Sequence, residues 1–98
     1  MRMTAAELAR AVGGTVEGAA DVIVLGAEVD SRRIEAGDLY IALPGERHDG
    51  HRFVAAALAT GVAALVREDA ELAPPPSGKA LIRVGDPLAA HHVLAARE

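Results

Sequence analysis

Cysteine and tryptophan are absent from this sequence, and its 98 residues hold one phenylalanine and one tyrosine. The lack of cysteine excludes a disulfide framework and a thiolate zinc site. The shortage of aromatics leaves Ala, Val and Leu to build the interior. With 51% apolar residues a core is available, but small side chains bury little area each, so stability should be modest or lean on a neighbour. A basic face is missing too. The net charge is -4 with both signs interspersed, which argues against a nucleic-acid partner. No apolar run approaches the roughly 18 residues of a membrane span, and the N-terminus lacks a signal-peptide core. We therefore expect a cytoplasmic protein with no membrane insertion. No internal repeat is visible, and the triple proline at 74–76 is the sole low-complexity element.

What is present fits one small α/β domain over residues 1–98: a small mixed sheet with a βαβ unit and helices packed on it. Thr4 followed by Glu7 predicts a capped helix over 4–12, with Ala5, Leu8 and Val12 facing a core and Gly13-Gly14 stopping it. Val16, the run Val22–Leu25 and Val29 predict two or three short strands. That run is continuous rather than alternating, which suggests burial on both faces. After a turn at 35–38, Leu39–Leu43 predicts a central strand ended by Pro44-Gly45. A helix over 52–60 follows, with Phe53, Val54, Ala57 and Leu58 on one side and Gly61 as its C′ residue. A strand over 62–66 then completes a right-handed βαβ unit with parallel strands. Residues 67–79 read as a polar surface connection and 80–84 as another strand. Asp86-Pro87 opens a last helix, whose Leu88, Ala89, Val93 and Ala96 share a side. This helix reaches Glu98 without a C-cap signal, so we expect a piece of something longer.

Chemical variety concentrates in Asp30–His51, DSRRIEAGDLYIALPGERHDGH. Ligands of parallel sheets bind beyond the carboxyl ends of the strands; for the Leu39–Leu43 strand, that end is the Gly45–Gly50 loop. Its glycines allow close backbone approach, and it opens a helix whose amides favour an anion such as a pyrophosphate. Asp30-Ser31-Arg32 admits two readings. Ser31 and Arg32 can grip phosphate oxygens, with Asp30 orienting the arginine. Equally, the triplet can be an Asx-type turn with a surface arginine. Other chemistry has little support. His48 and His51 lack a third metal ligand. His91-His92 fall on a helix. Ser31 lacks elbow glycines and a suitably spaced His and Asp. Ser77-Gly78-Lys79 is followed by Ala80 and a strand, unlike a phosphate-binding P-loop. No catalytic residue and no metal site are expected in this chain.

Residues 30–66 resemble the N-terminal domain of the Mur ligases, the ATP-dependent enzymes that add amino acids to the UDP-N-acetylmuramoyl-peptide precursor of bacterial peptidoglycan. The resemblance rests on DSRRIEAGDLYIALPGERHDGHRF followed by A-x-x-x-G-V-A-A-L-V. It extends more weakly to the helix ending in Val-Gly-Gly and to the late Val-Gly-Asp-Pro-Leu-Ala. The Gly-Glu-Arg-His-Asp-Gly-His version is more similar to the D-alanyl-D-alanine-adding branch, MurF, than to MurE, which adds the third peptide residue. What the resemblance implies is a domain that holds the UDP end of UDP-N-acetylmuramoyl-tripeptide while D-alanyl-D-alanine is added. It implies that Ser31 contacts the uridine diphosphate group and that Glu46, Arg47 and His48 border the uracil. It gives Val29, Asp30 and Arg32 a supporting role, and Asp49, Gly50 and His51 a mainly structural one. It also implies a partner, the central ATPase domain of the same polypeptide, with ATP and Mg2+ bound there and no cofactor in this chain. The family's glycine-rich ATP loop, magnesium carboxylates and carbamylated lysine have no counterpart in this sequence. Two other readings are a MurE-type ligase domain and a stand-alone, non-catalytic nucleotide-sugar binding module; a purely structural docking domain is a third.

Overall fold

In chain order, β1 (Met3–Thr4) leads into α1 (Ala5–Val12), followed by β2 (Thr15–Gly18), β3 (Ile23–Val24), β4 (Gly26–Glu28) and β5 (Asp38–Ile41). After these come α2 (Val54–Thr60), β6 (Ala63–Arg67), β7 (Ala80–Val84) and α3 (Pro87–Ala95). These elements come from a computed structural model that describes residues 1–45 and 49–97. The expected capping box starts α1: Thr4 Oγ1 accepts from the Glu7 N–H and Glu7 Oε1 accepts from the Thr4 N–H, both at 3.0 Å. Gly13 ends the helix at φ +70°, a conformation only glycine takes cheaply.

Five strands form one mixed sheet in the order β2-β7-β6-β5-β4. β4, β5, β6 and β7 pair in parallel, and β2 closes one edge antiparallel to β7. β1 and β3 form a separate antiparallel ribbon. Strands buried on both faces read as continuous apolar runs, and β5, β6 and β7 do. Alternate side chains then part between two layers. Leu39, Ile41, Leu65 and Ile82 pack with Leu8 of α1 and Leu94 of α3. Tyr40, Ala64 and Leu81 pack with Val54, Ala57 and Leu58 of α2. The sheet is therefore covered by α1 and α3 on one face and by α2 on the other. Among the described residues, no helix is long and apolar enough to cross a membrane.

Several expectations shift. The run Val22–Leu25 is not one strand buried on both faces. It is divided between β3, in the small ribbon, and the approach to the edge strand β4, so Val24 is buried while Leu25 is 51% exposed. The strand expected at 39–43 is interior, but the middle of the sheet is β6. The helix expected from 52 becomes α only at Val54, because a 3-10 turn over Gly50–Phe53 precedes it. Gly61 ends α2 at φ -72°, ψ 174°, extended rather than left-handed. Glycine is needed there for space: a Cβ would lie 2.7 Å from the Asp38 carbonyl oxygen. On α3 the buried side is Pro87, Ala90 and Leu94, while Leu88 and Val93 are 47% and 41% exposed. The small Ala90 faces inward where α3 packs against α1 and the sheet.

Candidate functional site

β4 and β5 are parallel neighbours, with Glu28 opposite Tyr40. Their carboxyl ends therefore open side by side, and the segments leaving them border one cleft of about 500 Å³. Val29, Asp30, Ser31 and Arg32, just past β4, form one wall. Leu43, Gly50 and Phe53, past β5, form the other, with Tyr40 between. The lining is mostly apolar with a polar edge, a composition that suits a small, partly polar ligand.

The first wall is shaped by carboxylates acting on nearby backbone. Glu28 Oε2 accepts from the N–H groups of Val29 and Asp30 at 2.8 and 3.1 Å. Asp30 caps a 3-10 turn over Ser31–Arg33: its Oδ1 accepts from the Arg32 N–H at 2.9 Å. The Arg32 guanidinium folds back onto the same carboxylate through Nε and Nη2, both at 3.0 Å. This fork, reinforced by the backbone bond, holds the Asp30 carboxyl down at about pH 2, and Asp30 in turn raises the Arg32 pKa. The triplet thus has the geometry of the Asx-type turn, with Arg32 largely exposed and engaged with Asp30. Ser31 is half-buried, and its hydroxyl makes no hydrogen bond among the described residues.

The second wall is held by a tighter network. Asp49 caps the 3-10 turn over Gly50–Phe53 by accepting from the His51 N–H at 3.0 Å. The buried His51 ring meets Asp49 Oδ1 through Nδ1 at 2.6 Å, and its Nε2 accepts the Arg67 N–H at 2.9 Å. Both ring nitrogens are engaged, so His51 is not placed to act as a base toward Ser31. Arg67 Nη1 reaches Asp49 Oδ2 at 3.3 Å. Arg67 Nε lies 3.4 Å from Asp69 Oδ1, close enough for attraction, but no hydrogen bond forms there among the described residues. The bonds from His51, backbone first, lower the Asp49 pKa. Between the walls, the Tyr40 hydroxyl donates to the Gly50 carbonyl at 2.9 Å. Burial raises the Tyr40 pKa, helped by the charges of Asp30 and Asp49. Arg52 sits over the Phe53 ring at 5.4 Å.

Of the residues singled out in the sequence, Val29, Asp30, Ser31, Arg32 and Gly50 line the cleft. Asp49 and His51 stand behind its wall as structural ties. Glu46, Arg47 and His48 lie outside the described residues. Tyr40, Leu43 and Phe53 were missed. A lone tyrosine in an otherwise aliphatic strand was the available signal, since its hydroxyl needs a partner when buried. Lys79 donates to the Gly61 carbonyl at 2.6 Å. His91 and His92 lie on α3, their ring centroids 6.0 Å apart.

Residues 24–97 match the family described as "Mur ligase family, catalytic domain". A UDP-N-acetylmuramoyl-L-alanyl-D-glutamate--2,6-diaminopimelate ligase of Synechococcus sp. is 46% identical over 92 residues, covering 91% of this chain and 18% of the relative. A UDP-N-acetylmuramoyl-tripeptide--D-alanyl-D-alanine ligase of Bacillus subtilis is 37% identical over 97 residues, covering 97% of this chain and 21% of the relative. The crystal structure of MurF from Acinetobacter baumannii superposes with a TM-score of 0.78 at 31% identity, over 98% of this chain and 21% of that one. The chain thus spans about a fifth of the length of the relatives it matches. With the family matched over most of its residues and the fold shared with a solved member, the chain belongs to the Mur ligase family.

Proposed function

We propose that residues 1–98 are the N-terminal domain of a longer peptidoglycan-precursor ligase and hold the UDP end of UDP-N-acetylmuramoyl-tripeptide while D-alanyl-D-alanine is added. One observation carries this reading: parallel pairing of β4 and β5 brings the Ser31 wall and the Gly50 wall together around one cleft. Ser31 is the group in it whose hydroxyl has no partner among the described residues, and it is assigned to the uridine diphosphate group. Val29 and Phe53 supply apolar surface for the base. Glu46, Arg47 and His48 are assigned to the uracil edge on the resemblance alone.

ATP and Mg2+ belong, in this reading, to a central domain outside these residues, where the nucleotide activates the substrate carboxylate for attack by an amine. The partners are the UDP-N-acetylmuramoyl-peptide and that central domain, and the compartment is the cytoplasm. This chain contributes remote binding energy, which can be spent on orientation at a reacting centre held elsewhere. A MurE-type ligase is the second reading, favoured by the 46% identity to the Synechococcus diaminopimelate ligase. The two share the UDP end and differ at the peptide end.

The test is calorimetric titration of the parent, Ser31→Ala and Arg47→Ala with UDP-N-acetylmuramoyl-tripeptide. Each variant should lose about 1.5–3 kcal/mol of binding, the value of one hydrogen bond to a charged group. Unchanged affinity in both variants would overturn the site assignment.

A further inference from the structure

The Asp49–His51 turn is tied to two adjacent strands. From β5, Tyr40 donates its hydroxyl to the Gly50 carbonyl at 2.9 Å, from a side chain only 2% exposed. From the end of β6, the Arg67 N–H donates to His51 Nε2 at 2.9 Å. An acceptor Nε2 leaves the neutral ring's proton on Nδ1, where it is donated to Asp49 Oδ1. The Gly50 N–H is committed as well, to the Leu43 carbonyl at 2.9 Å.

Gly50 offers the cleft nothing but backbone, and both its polar groups are spoken for. The wall it forms is therefore a fixed shape. Its position is set by a phenol carried on β5 and an imidazole bonded to the end of β6. Removing the phenol oxygen would leave the Gly50 carbonyl without its donor in a part-buried site and free that peptide unit to turn. Any ligand needing the present wall would then have to select it from a broader set of conformations, at a cost in affinity.

We propose that Tyr40 and His51 are positioning residues of this cleft: Tyr40 from β5, and His51 through its bond to the end of β6, hold the Gly50 peptide where the cleft admits a uridine nucleotide. This rests on the uridine reading above, but the tie itself can be measured without a ligand. The experiment compares the full chain with Tyr40→Phe, which keeps the buried ring, and with His51→Gln. Amide hydrogen exchange is followed at residue 51, whose N–H shares a peptide unit with the Gly50 carbonyl, and, as a core control, at Leu65. Uridine 5′-diphosphate is then titrated by amide chemical shift.

In Tyr40→Phe, exchange at the His51 amide should rise about three- to tenfold, the loss of one ordinary hydrogen bond to its peptide unit, while Leu65 stays unchanged. Uridine diphosphate should bind weaker by a similar factor. His51→Gln should do the same at the amide of residue 51 if it folds; Tyr40→Phe decides the matter if it does not. Exchange at residue 51 equal to the parent, or residue 51 and Leu65 rising together, would overturn the proposal, the second outcome marking a purely structural tyrosine. If the parent shows no response to the nucleotide, the uridine assignment falls, and the exchange comparison alone decides whether the tie holds Gly50.

Discussion

Gly50 shows how a missing side chain can shape a binding site. A Cβ there would stand 2.8 Å from both the Leu43 nitrogen and oxygen and 3.0 Å from the Tyr40 hydroxyl. Gly50→Ala should cost about 1–3 kcal/mol in chemical denaturation, because two of the three obstacles are backbone and cannot move aside. Titrations test the charges beside it. Tyr40 is the chain's one tyrosine and there is no tryptophan, so tyrosinate absorbance reports it alone. Its folded pKa is raised, so its contribution to stability is complete below the ordinary 10.0 and is lost as pH climbs through the higher folded value. The absorbance midpoint should lie above 10.0. Asp30 has the opposite sign: its carboxyl is held down at about 2 by the Arg32 fork, so the turn's capping is intact above the ordinary 3.8 and is lost as pH falls through about 2. The Arg32 amide shift, followed by NMR, should move near pH 2 and stay flat near 4. At this scale the sequence displayed the polar triplet and the glycines but not Tyr40 or Arg67. Strand alternation alone does not say which buried hydroxyl meets which carbonyl ten residues away.

At the scale of elements, Arg83 ties β7 to its surroundings. Its Nε pairs with Glu17 on β2, and its Nη1 donates to the Ala70 carbonyl at 2.8 Å, with longer contacts to the carbonyls of Arg67 and Glu68. Arg83→Met should destabilise by about 1.5–3 kcal/mol, read as a lower denaturant midpoint with an unchanged slope. The orientation of α3 gives a second check. Leu94→Ala should cost about 2–5 kcal/mol, whereas Leu88→Gln and Val93→Gln should each stay within about 0.5 kcal/mol. The helices were legible from their caps: Thr4 with Glu7, and Asp86 before Pro87, each start one where expected. The inward face of α3 was not, because Ala90 is small and the larger Leu88 and Val93 drew the apolar pattern away from it. The division of Val22–Leu25 between two sheets was also hidden, since a run of β-branched residues says nothing about which partner strand each part will find.

Taken whole, the molecule is a mixed sheet between two helical layers with an apolar cleft at the carboxyl ends of β4 and β5. The fold class, the parallel β5–α2–β6 unit and the family could be read from the chain because apolar runs, caps and the Asp30–His51 pattern are all local. Strand order could not, because it depends on pairings between distant segments such as β2 with β7. The central claim is that this cleft receives the uridine diphosphate end of a larger substrate. The most direct measurement is amide chemical-shift mapping of the chain on addition of uridine 5′-diphosphate. Saturable shifts concentrated at Val29, Ser31, Tyr40 and Gly50 are expected. Shifts confined to residues remote from the cleft, or no shift at saturating nucleotide, would contradict it.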